Sequence, residues 1–263
     1  MNFFTYSTFL AFFFYFFVYV SIANSTSVIT VRTPDEIIIG ADSFLGNEDG
    51  NQIGTICKIR QAGETFFAVS GVPLVQGAGI DFDTYKIATA IFSRKLPIEE
   101  RLAIYDAIVK WNLIKVIDRV RQDKALFDLV YNHKDNVALS LTVTMTGGVF
   151  PTAYRIEHTV MSSANEPARI SSVTKNYTDR LNSEIEIIYS IEMDKIICSP
   201  IIRTNNTRNL DKDIHNCIEL IAKERPRVQL PVDILRITQT GAEWIQHKPE
   251  CQEIDQNFFN HSN

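Results

Sequence analysis

The chain has 263 residues, a formal net charge of −5 at pH 7 and a pI of about 5.6. This mildly acidic balance lacks the basic footprint of nucleic-acid-binding proteins, and the length suits one sizeable domain. No CxxC pair occurs and the five histidines are scattered, so the sequence predicts neither a metal site nor a cofactor.

The first 25 residues form an apolar leader without a charged side chain. Ala23 and Ser25 fit the small-x-small pattern of signal peptidase sites, which places a cut before Thr26, and a cut after Ala23 is an alternative. The apolar run is also long enough for a membrane anchor, because about 20 apolar residues span a bilayer. We therefore expect a signal peptide or an anchor in residues 1–25. The product would be secreted, lumenal or periplasmic, or membrane-anchored if the leader is retained.

A β-hairpin is predicted directly after the leader. Residues 27–33 are rich in β-branched side chains with period two, residues 36–42 form a buried-strand run, and a Pro-Asp pair separates them. A turn centred on this pair gives cross-strand partners whose residue numbers sum to about 69. The register predicts that Asp42 lies at the start of the first strand, beside Thr26.

The next segments predict a polar loop, a hairpin and two helices. Residues 45–54 are predicted as the loop, and the hairpin turns at Ala62-Gly63. Asp83 is predicted to cap the first helix, and Pro97 begins the second. Apolar residues recur every three or four positions along the second helix and predict its buried face: Leu102, Tyr105, Val109, Leu113, Val116 and Val120.

The last part of the chain returns mainly to strands. Three strands, a helix and a terminal hairpin are predicted over residues 137–145, 153–161, 183–191, 213–224 and 232–246. Residues 26–250 thus predict a single domain with sheets and helices in layers around one core, followed by a loose tail over 251–263. In an exported chain the cysteines allow up to two disulfides with three pairings: Cys57, Cys198, Cys217 and Cys251.

Three residues suggest a chemical site because they are spaced sixteen apart: Thr26, Asp42 and Lys58. A threonine hydroxyl needs a base, and a free α-amino group on the same residue, with a reference pKa of about 7.7–8.0, supplies one. A nearby lysine ammonium would lower the pKa of that amine, and Asp42 would hold the lysine in place. While the leader is attached the nitrogen is an amide without basicity, so cleavage before Thr26 is predicted to activate the site.

The stretch from Thr26 to Gly71 resembles the start of mature proteasome β-subunits and of their bacterial ATP-dependent relative, which are N-terminal nucleophile (Ntn) hydrolases. The segments TSVITVR, IIIGAD, LGN and CKIRQAG follow the family layout without a gap from Thr26 to Lys58. The resemblance implies an α+β fold built as a four-layer αββα sandwich. It also implies Thr26 as nucleophile, Asp42 and Lys58 as tuning residues and the Gly71 amide as an oxyanion donor, without a cofactor.

The chain departs from the family pattern at one point. Family members carry an acid and then Ser-Gly-Gly ahead of a late strand, whereas the corresponding stretch here, RPRVQLPVDILRI, has neither before its strand. Asp233 lies within that strand, and no role is assigned to it.

The sequence therefore predicts an exported threonine-type hydrolase of peptide or other amide bonds. Its partner would be a peptide or small amide substrate rather than nucleic acid, and assembly with identical chains is compatible with this interpretation. Membrane association is expected only if the leader stays uncleaved. The alternative interpretation is a non-catalytic binding or structural protein that retains the Ntn-hydrolase fold.

Overall fold

The computed structural model describes residues 27–46, 52–77, 80–122, 137–146, 151–161, 166–177, 185–190, 192–204, 209–225, 227–249 and 251. The predicted leader, Thr26 and most of the predicted tail lie outside these residues. Strands account for 43% of the described residues and helices for 33%. None of the described helices combines the length and the apolar character that a membrane crossing requires.

Within these residues the chain forms fourteen strands and four helices. The strands are β1 (Val28–Arg32), β2 (Glu36–Ala41), β3 (Phe44–Gly46), β4 (Gln52–Thr55), β5 (Ile59–Ala62), β6 (Thr65–Gly71), β7 (Leu74–Gly77), β8 (Ile80–Asp83), β9 (Val137–Met145), β10 (Thr152–Val160), β11 (Ile170–Asn176), β12 (Glu186–Tyr189), β13 (Asp233–Thr238) and β14 (Gly241–Gln246). The helices are α1 (Thr84–Phe92), α2 (Ile98–Val120), α3 (Glu192–Thr204) and α4 (Leu210–Glu224).

Two five-stranded antiparallel sheets dominate the described chain. Sheet I has the order β12-β1-β2-β13-β14, and sheet II has the order β11-β10-β9-β6-β5. The register predicted for the first hairpin is confirmed, since Val28 pairs with Ala41 and every β1–β2 partner pair sums to 69. The predicted cap of α1 is also confirmed, because the side chain of Asp83 accepts a hydrogen bond from the backbone nitrogen of Lys86 at 3.1 Å.

Helices α1 and α2 pack against sheet II. All six predicted face residues of α2 are buried, and they share a cluster with apolar side chains of β6, β9 and β10, such as Phe67 and Leu141. Full burial of one such side chain contributes about 1.5–3 kcal/mol. The period of three to four residues in the sequence therefore identifies the face of α2 that stabilises the fold.

Helices α3 and α4 pack against sheet I, and a third cluster joins the two large sheets. Ile214 and Ile218 of α4 contact β2 so closely at Gly40 that a Cβ atom there would overlap Ile214. Residues of both sheets, including Ile39 and Phe66, form the third cluster. The glycine in the IIIGAD segment thus has a packing reason, since it lets a helix approach the strand that leads to Asp42.

The predicted fold class, a four-layer αββα sandwich of the α+β type, is corrected to a β-rich fold made mainly of antiparallel sheets. One source of the difference is that the predicted polar loop at 45–54 contributes to β3 and β4, which form a small sheet of their own. Strands β7 and β8 form another small sheet that the sequence did not indicate. These segments carry glycine and polar residues, so their alternation pattern is too weak to predict strands.

Two disulfides settle the cysteine pairing that the sequence left open. Cys57 is bonded to Cys251 with a Cα–Cα distance of 5.6 Å, and Cys198 is bonded to Cys217 with a Cα–Cα distance of 5.4 Å. The second bond joins α3 to α4. The first brings Cys251, the first residue of the predicted tail, into the interior beside the segment that carries Lys58.

Candidate functional site

Asp42 lies directly after β2, opposite Ser27 at the start of β1. Its backbone nitrogen donates to the carbonyl oxygen of Ser27 at 3.2 Å, which continues the ladder of the first hairpin. Both residues are fully buried. Thr26 lies outside the described residues, but it is bonded to Ser27, so the register brings Asp42 within one residue of the predicted nucleophile.

The carboxylate of Asp42 is held by hydrogen bonds to both of its oxygens. Oδ1 accepts from the backbone nitrogen of Ser27 at 2.8 Å and from Nζ of Lys58 at 2.7 Å. Oδ2 accepts from the backbone nitrogens of Phe44 at 3.0 Å and Gln229 at 3.4 Å. A buried carboxylate needs such partners to remain charged, and the bonds also fix its direction toward the start of β1.

Lys58 completes a buried ion pair with Asp42. Its side chain has no solvent exposure, and it immediately precedes β5. Burial lowers the pKa of Lys58 below its usual value, while the charge of Asp42 acts in the opposite direction. The structure thus brings together two of the residues predicted for the site, although they are sixteen positions apart in the chain.

A second carboxyl group, which the sequence analysis missed, contacts the same end of β1. Ser27 Oγ donates a hydrogen bond to Oδ2 of Asp194 at 3.0 Å, and Nη1 of Arg225 lies 3.1 Å from Oδ1 of Asp194. Burial raises the pKa of Asp194 to about 6, against the influence of Arg225 and Ser27, and the nearby charge of Asp42 raises it further. A carboxyl with this pKa changes its protonation state in the mildly acidic range.

Ser190 is the second residue that the sequence analysis missed. Its Oγ accepts from the backbone nitrogen of Val28 at 2.9 Å, and its own nitrogen donates to the carbonyl oxygen of Val28 at 2.9 Å. A serine that follows β12 and an acid of α3 therefore contact the start of β1. The available signal was the segment YSIEMDK, with a serine after a strand-like run and an acid four positions later.

Gly71 ends β6 with a φ of 95°, a conformation that L side chains rarely adopt. A Cβ atom there would overlap the carbonyl oxygen of Ala138, so the backbone itself requires glycine at this position. Among the described residues no hydrogen bond links Gly71 to Asp42 or Lys58. Its role as an oxyanion donor stays a prediction.

Metal ligation has no visible candidate in the described part of the chain. His, Cys, Asp and Glu side chains there do not gather in groups of three or more that could hold an ion. The chemical groups that the structure does gather are carboxylates, a lysine and hydroxyls. Such groups can position and polarise an amine or an alcohol, which is what acyl transfer to a hydroxyl requires.

The chain shows similarity to known proteins in structure and not in sequence. No protein-family model matches the chain, and no curated protein matches it by sequence. A crystal structure of eukaryotic HslV from Trypanosoma brucei aligns with 81% of this chain and 99% of its own, with 12% sequence identity and a TM-score of 0.41. This similarity is partial, and it assigns the chain to no family.

Proposed function

We propose that this protein is an Ntn hydrolase that cleaves peptide or other amide bonds with Thr26, after removal of residues 1–25. The observation that supports this proposal is the buried pair of Lys58 and Asp42, whose shared carboxylate oxygen also binds the backbone nitrogen of Ser27. The pair is thus hydrogen-bonded to the residue that directly follows Thr26, whose α-amino group the proposed cut would free.

The proposed reaction is acyl transfer to a hydroxyl followed by hydrolysis. Oγ of Thr26 attacks the substrate carbonyl carbon and passes its proton to the α-amino group of the same residue. The tetrahedral intermediate then expels the leaving amine, which takes that proton, and an ester to Thr26 remains. A water molecule attacks the ester, its proton returns through the amine, and the carboxylic acid product leaves with the threonine regenerated.

In this scheme the surrounding residues tune and position the reacting groups. The positive charge of Lys58 would keep the α-amine unprotonated near neutral pH, and Asp42 fixes Lys58 and Ser27 together. Asp194 and Ser190 hold the first two described residues of the chain, Ser27 and Val28. The Gly71 amide is proposed to stabilise the developing oxyanion.

The energetics of the Asp42–Lys58 pair also favour a chemical role. Desolvating two charges costs several kcal/mol per ion, and apolar side chains of similar size are often as stabilising as a buried pair. A fully buried pair at the end of a strand is therefore weak evidence for stability and better evidence for function. Charged groups that are buried together beside a predicted nucleophile are typical of active sites.

Export is part of the proposal. Both disulfides of the described chain suit an oxidising compartment, because stable disulfides are rare in the cytosol. The apolar leader gives the route, and its removal gives the activation step. Secretion or delivery to a lumen or periplasm thus agrees with the need to expose Thr26.

A non-catalytic protein with the same fold is the second candidate. Ser27, Asp42 and Lys58 all have no solvent exposure, so their bonds also serve as a clamp that fixes the start of β1. A binding or structural protein could keep such a clamp without a reaction. The two candidates differ in whether the N-terminal residue reacts with an electrophile.

The test starts from the exported protein, whose first residue is read by N-terminal sequencing and intact mass. A threonine-reactive electrophile, such as a peptide boronate, is then added to the wild type, Thr26→Ala and the control Thr174→Ala, which alters an exposed threonine of β11. We expect a start at Thr26 and labelling of the wild type and the control alone. A different first residue, or equal labelling of Thr26→Ala, would overturn the proposal and leave the non-catalytic candidate.

A further inference from the structure

A second buried ion pair, between Lys248 and Asp233, lies next to the segment that carries Lys58. Nζ of Lys248 is 2.5 Å from Oδ2 of Asp233, and the two side chains are 1% and 0% exposed. Oδ1 of Asp233 accepts from the backbone nitrogen of Lys248 at 2.9 Å and contacts Nδ1 of His247 at 3.3 Å. The mechanism described above does not use this pair, although burying it carries the same desolvation cost as the first.

The second ion pair is hydrogen-bonded to the segment that carries Lys58. Nζ of Lys248 donates to the carbonyl oxygen of Ile56 at 3.1 Å, two residues before Lys58. Cys251 is bonded to Cys57, the residue directly before Lys58. Asp233, Lys248 and Cys251 together are called the brace below.

The brace is also tied to the strand that leads to Asp42. Asp233 pairs with Ala41 in the ladder between β13 and β2, so it lies beside the end of β2. The backbone nitrogen of Ile56 donates to the carbonyl oxygen of Ser43 at 3.0 Å. This bond links the segment that carries Lys58 to the residue after Asp42. One set of contacts thus sets the position of both members of the first ion pair.

We propose that Lys248 and Asp233, with the disulfide from Cys251 to Cys57, are positioning residues that hold Lys58 against Asp42 at the start of β1. This inference rests on the proposed function for its catalytic meaning, since Lys58 is the residue that the brace serves. It assigns a role to a lysine near the C-terminus that no motif in the sequence indicates.

The charges around Lys58 give the proposal a measurable signature. Burial is the largest influence and lowers the pKa of Lys58, and Asp42 raises it. Lys248 lowers it as well, while Asp233 raises it. Removing Lys248 alone should therefore raise the pKa of Lys58, whereas removing both members of the second pair should change it less.

The experiment compares wild type, Lys248→Met and the double variant Asp233→Asn/Lys248→Met. Lys86→Met is the matched control, because that lysine is 69% exposed on α1. Circular dichroism and thermal unfolding establish folding. The pKa of Lys58 is followed by NMR of protein with ¹³C-labelled lysine, and Thr26 labelling by the boronate is timed at pH 7.

In Lys248→Met we expect the pKa of Lys58 to rise, because a neighbouring positive charge is removed. We expect labelling in both brace variants to slow about tenfold or more, because small misplacements of catalytic groups are costly. Lys248→Met leaves Asp233 buried without its partner and could fail to fold, whereas the double variant removes both charges. If Lys248→Met does not fold, the labelling rate of the double variant tests the proposal. The control should match the wild type in both measurements.

Folded brace variants with the wild-type pKa of Lys58 and the wild-type labelling rate would overturn the inference. If the wild type takes no label at all, the proposed function fails, and the NMR titration still decides whether the brace acts on Lys58. The failure of one proposal is thus distinguishable from the failure of the other.

Discussion

Asp42 and Ser27 face each other at the end of the β1–β2 ladder, and Oδ1 of Asp42 accepts a hydrogen bond from the nitrogen of Ser27 at 2.8 Å. The same oxygen accepts a hydrogen bond from Nζ of Lys58 at 2.7 Å. A hairpin register that follows from the sequence thus places a buried ion pair one residue from the predicted nucleophile. The predictions below test the stability, the ionisation and the chemistry of this arrangement.

The first prediction separates the structural role of the ion pair from its chemical role. Lys58→Met leaves a buried, unpaired Asp42 and should lower the free energy of unfolding by about 3–5 kcal/mol in urea titrations. Asp42→Asn/Lys58→Met removes both charges and should recover much of that loss. Neither variant should label with the boronate. Labelling of the folded double variant at the wild-type rate would show that the pair has no part in the chemistry.

The second prediction concerns the pH dependence of stability through Asp194. Its folded-state pKa of about 6 lies above the usual 3.8, so the folded protein holds this proton more tightly than the unfolded chain. The resulting stability is present below about pH 4 and is lost as the pH rises through about 6. The difference in unfolding free energy between wild type and Asp194→Asn should therefore change by up to about 3 kcal/mol between pH 4 and pH 7.

Ser27→Ala gives a matched comparison for that titration. It removes the hydrogen bond that lowers the pKa of Asp194, so the window in which stability is lost should move to higher pH. A constant difference between wild type and Asp194→Asn across this range would contradict the assigned pKa.

The third prediction concerns the disulfide between α3 and α4. Cys198 and Cys217 enclose a loop with a sequence separation of 19 residues, for which the chain-entropy model gives about 3 kcal/mol. Cys198→Ala/Cys217→Ala should lose about that much unfolding free energy relative to the oxidised wild type. Peptide mapping without reductant should recover this pair and the pair of Cys57 with Cys251, and any other pairing would contradict the structure.

The fourth prediction compares two glycines with positive φ. Gly71→Ala should destabilise the protein by about 1–3 kcal/mol or more, because its φ is 95° and a Cβ atom would overlap the backbone of Ala138. Gly63→Ala, at a φ of 62° with no atom within 4 Å of the added Cβ, should cost about 1 kcal/mol. Thermal unfolding measures both, and equal losses would show that the contact with Ala138 is unimportant.

The sequence predicts the local parts of the site well and the distant parts poorly. The β1–β2 register depends on neighbouring residues and a turn. Asp83 caps α1 through a hydrogen bond to a residue only three positions away in the sequence. Ser190 bonds to Val28 at a sequence separation of 162 residues, and Asp194 bonds to Ser27 at a separation of 167 residues. The periodicity of a sequence does not indicate contacts between residues so far apart. These contacts depend on the order of strands in sheet I, which the sequence does not show.

Two local features also escaped prediction for physical reasons. Helix α3 contains Pro200, which removes a backbone donor and is typical of a helix end, so the segment after β12 was not predicted as a helix. Strands β3 and β4 lie in a polar segment that reads as a loop. These missed elements include α3, the helix that carries Asp194.

The central claim is that a free α-amino group makes the Thr26 hydroxyl reactive. Two forms of the folded protein test it most directly, one beginning at Thr26 and one beginning at Ser25, so that they differ by a single residue. Intact mass after incubation with the boronate measures labelling in both. The account predicts labelling of the form that begins at Thr26 and none of the longer form, and equal labelling of the two would contradict it.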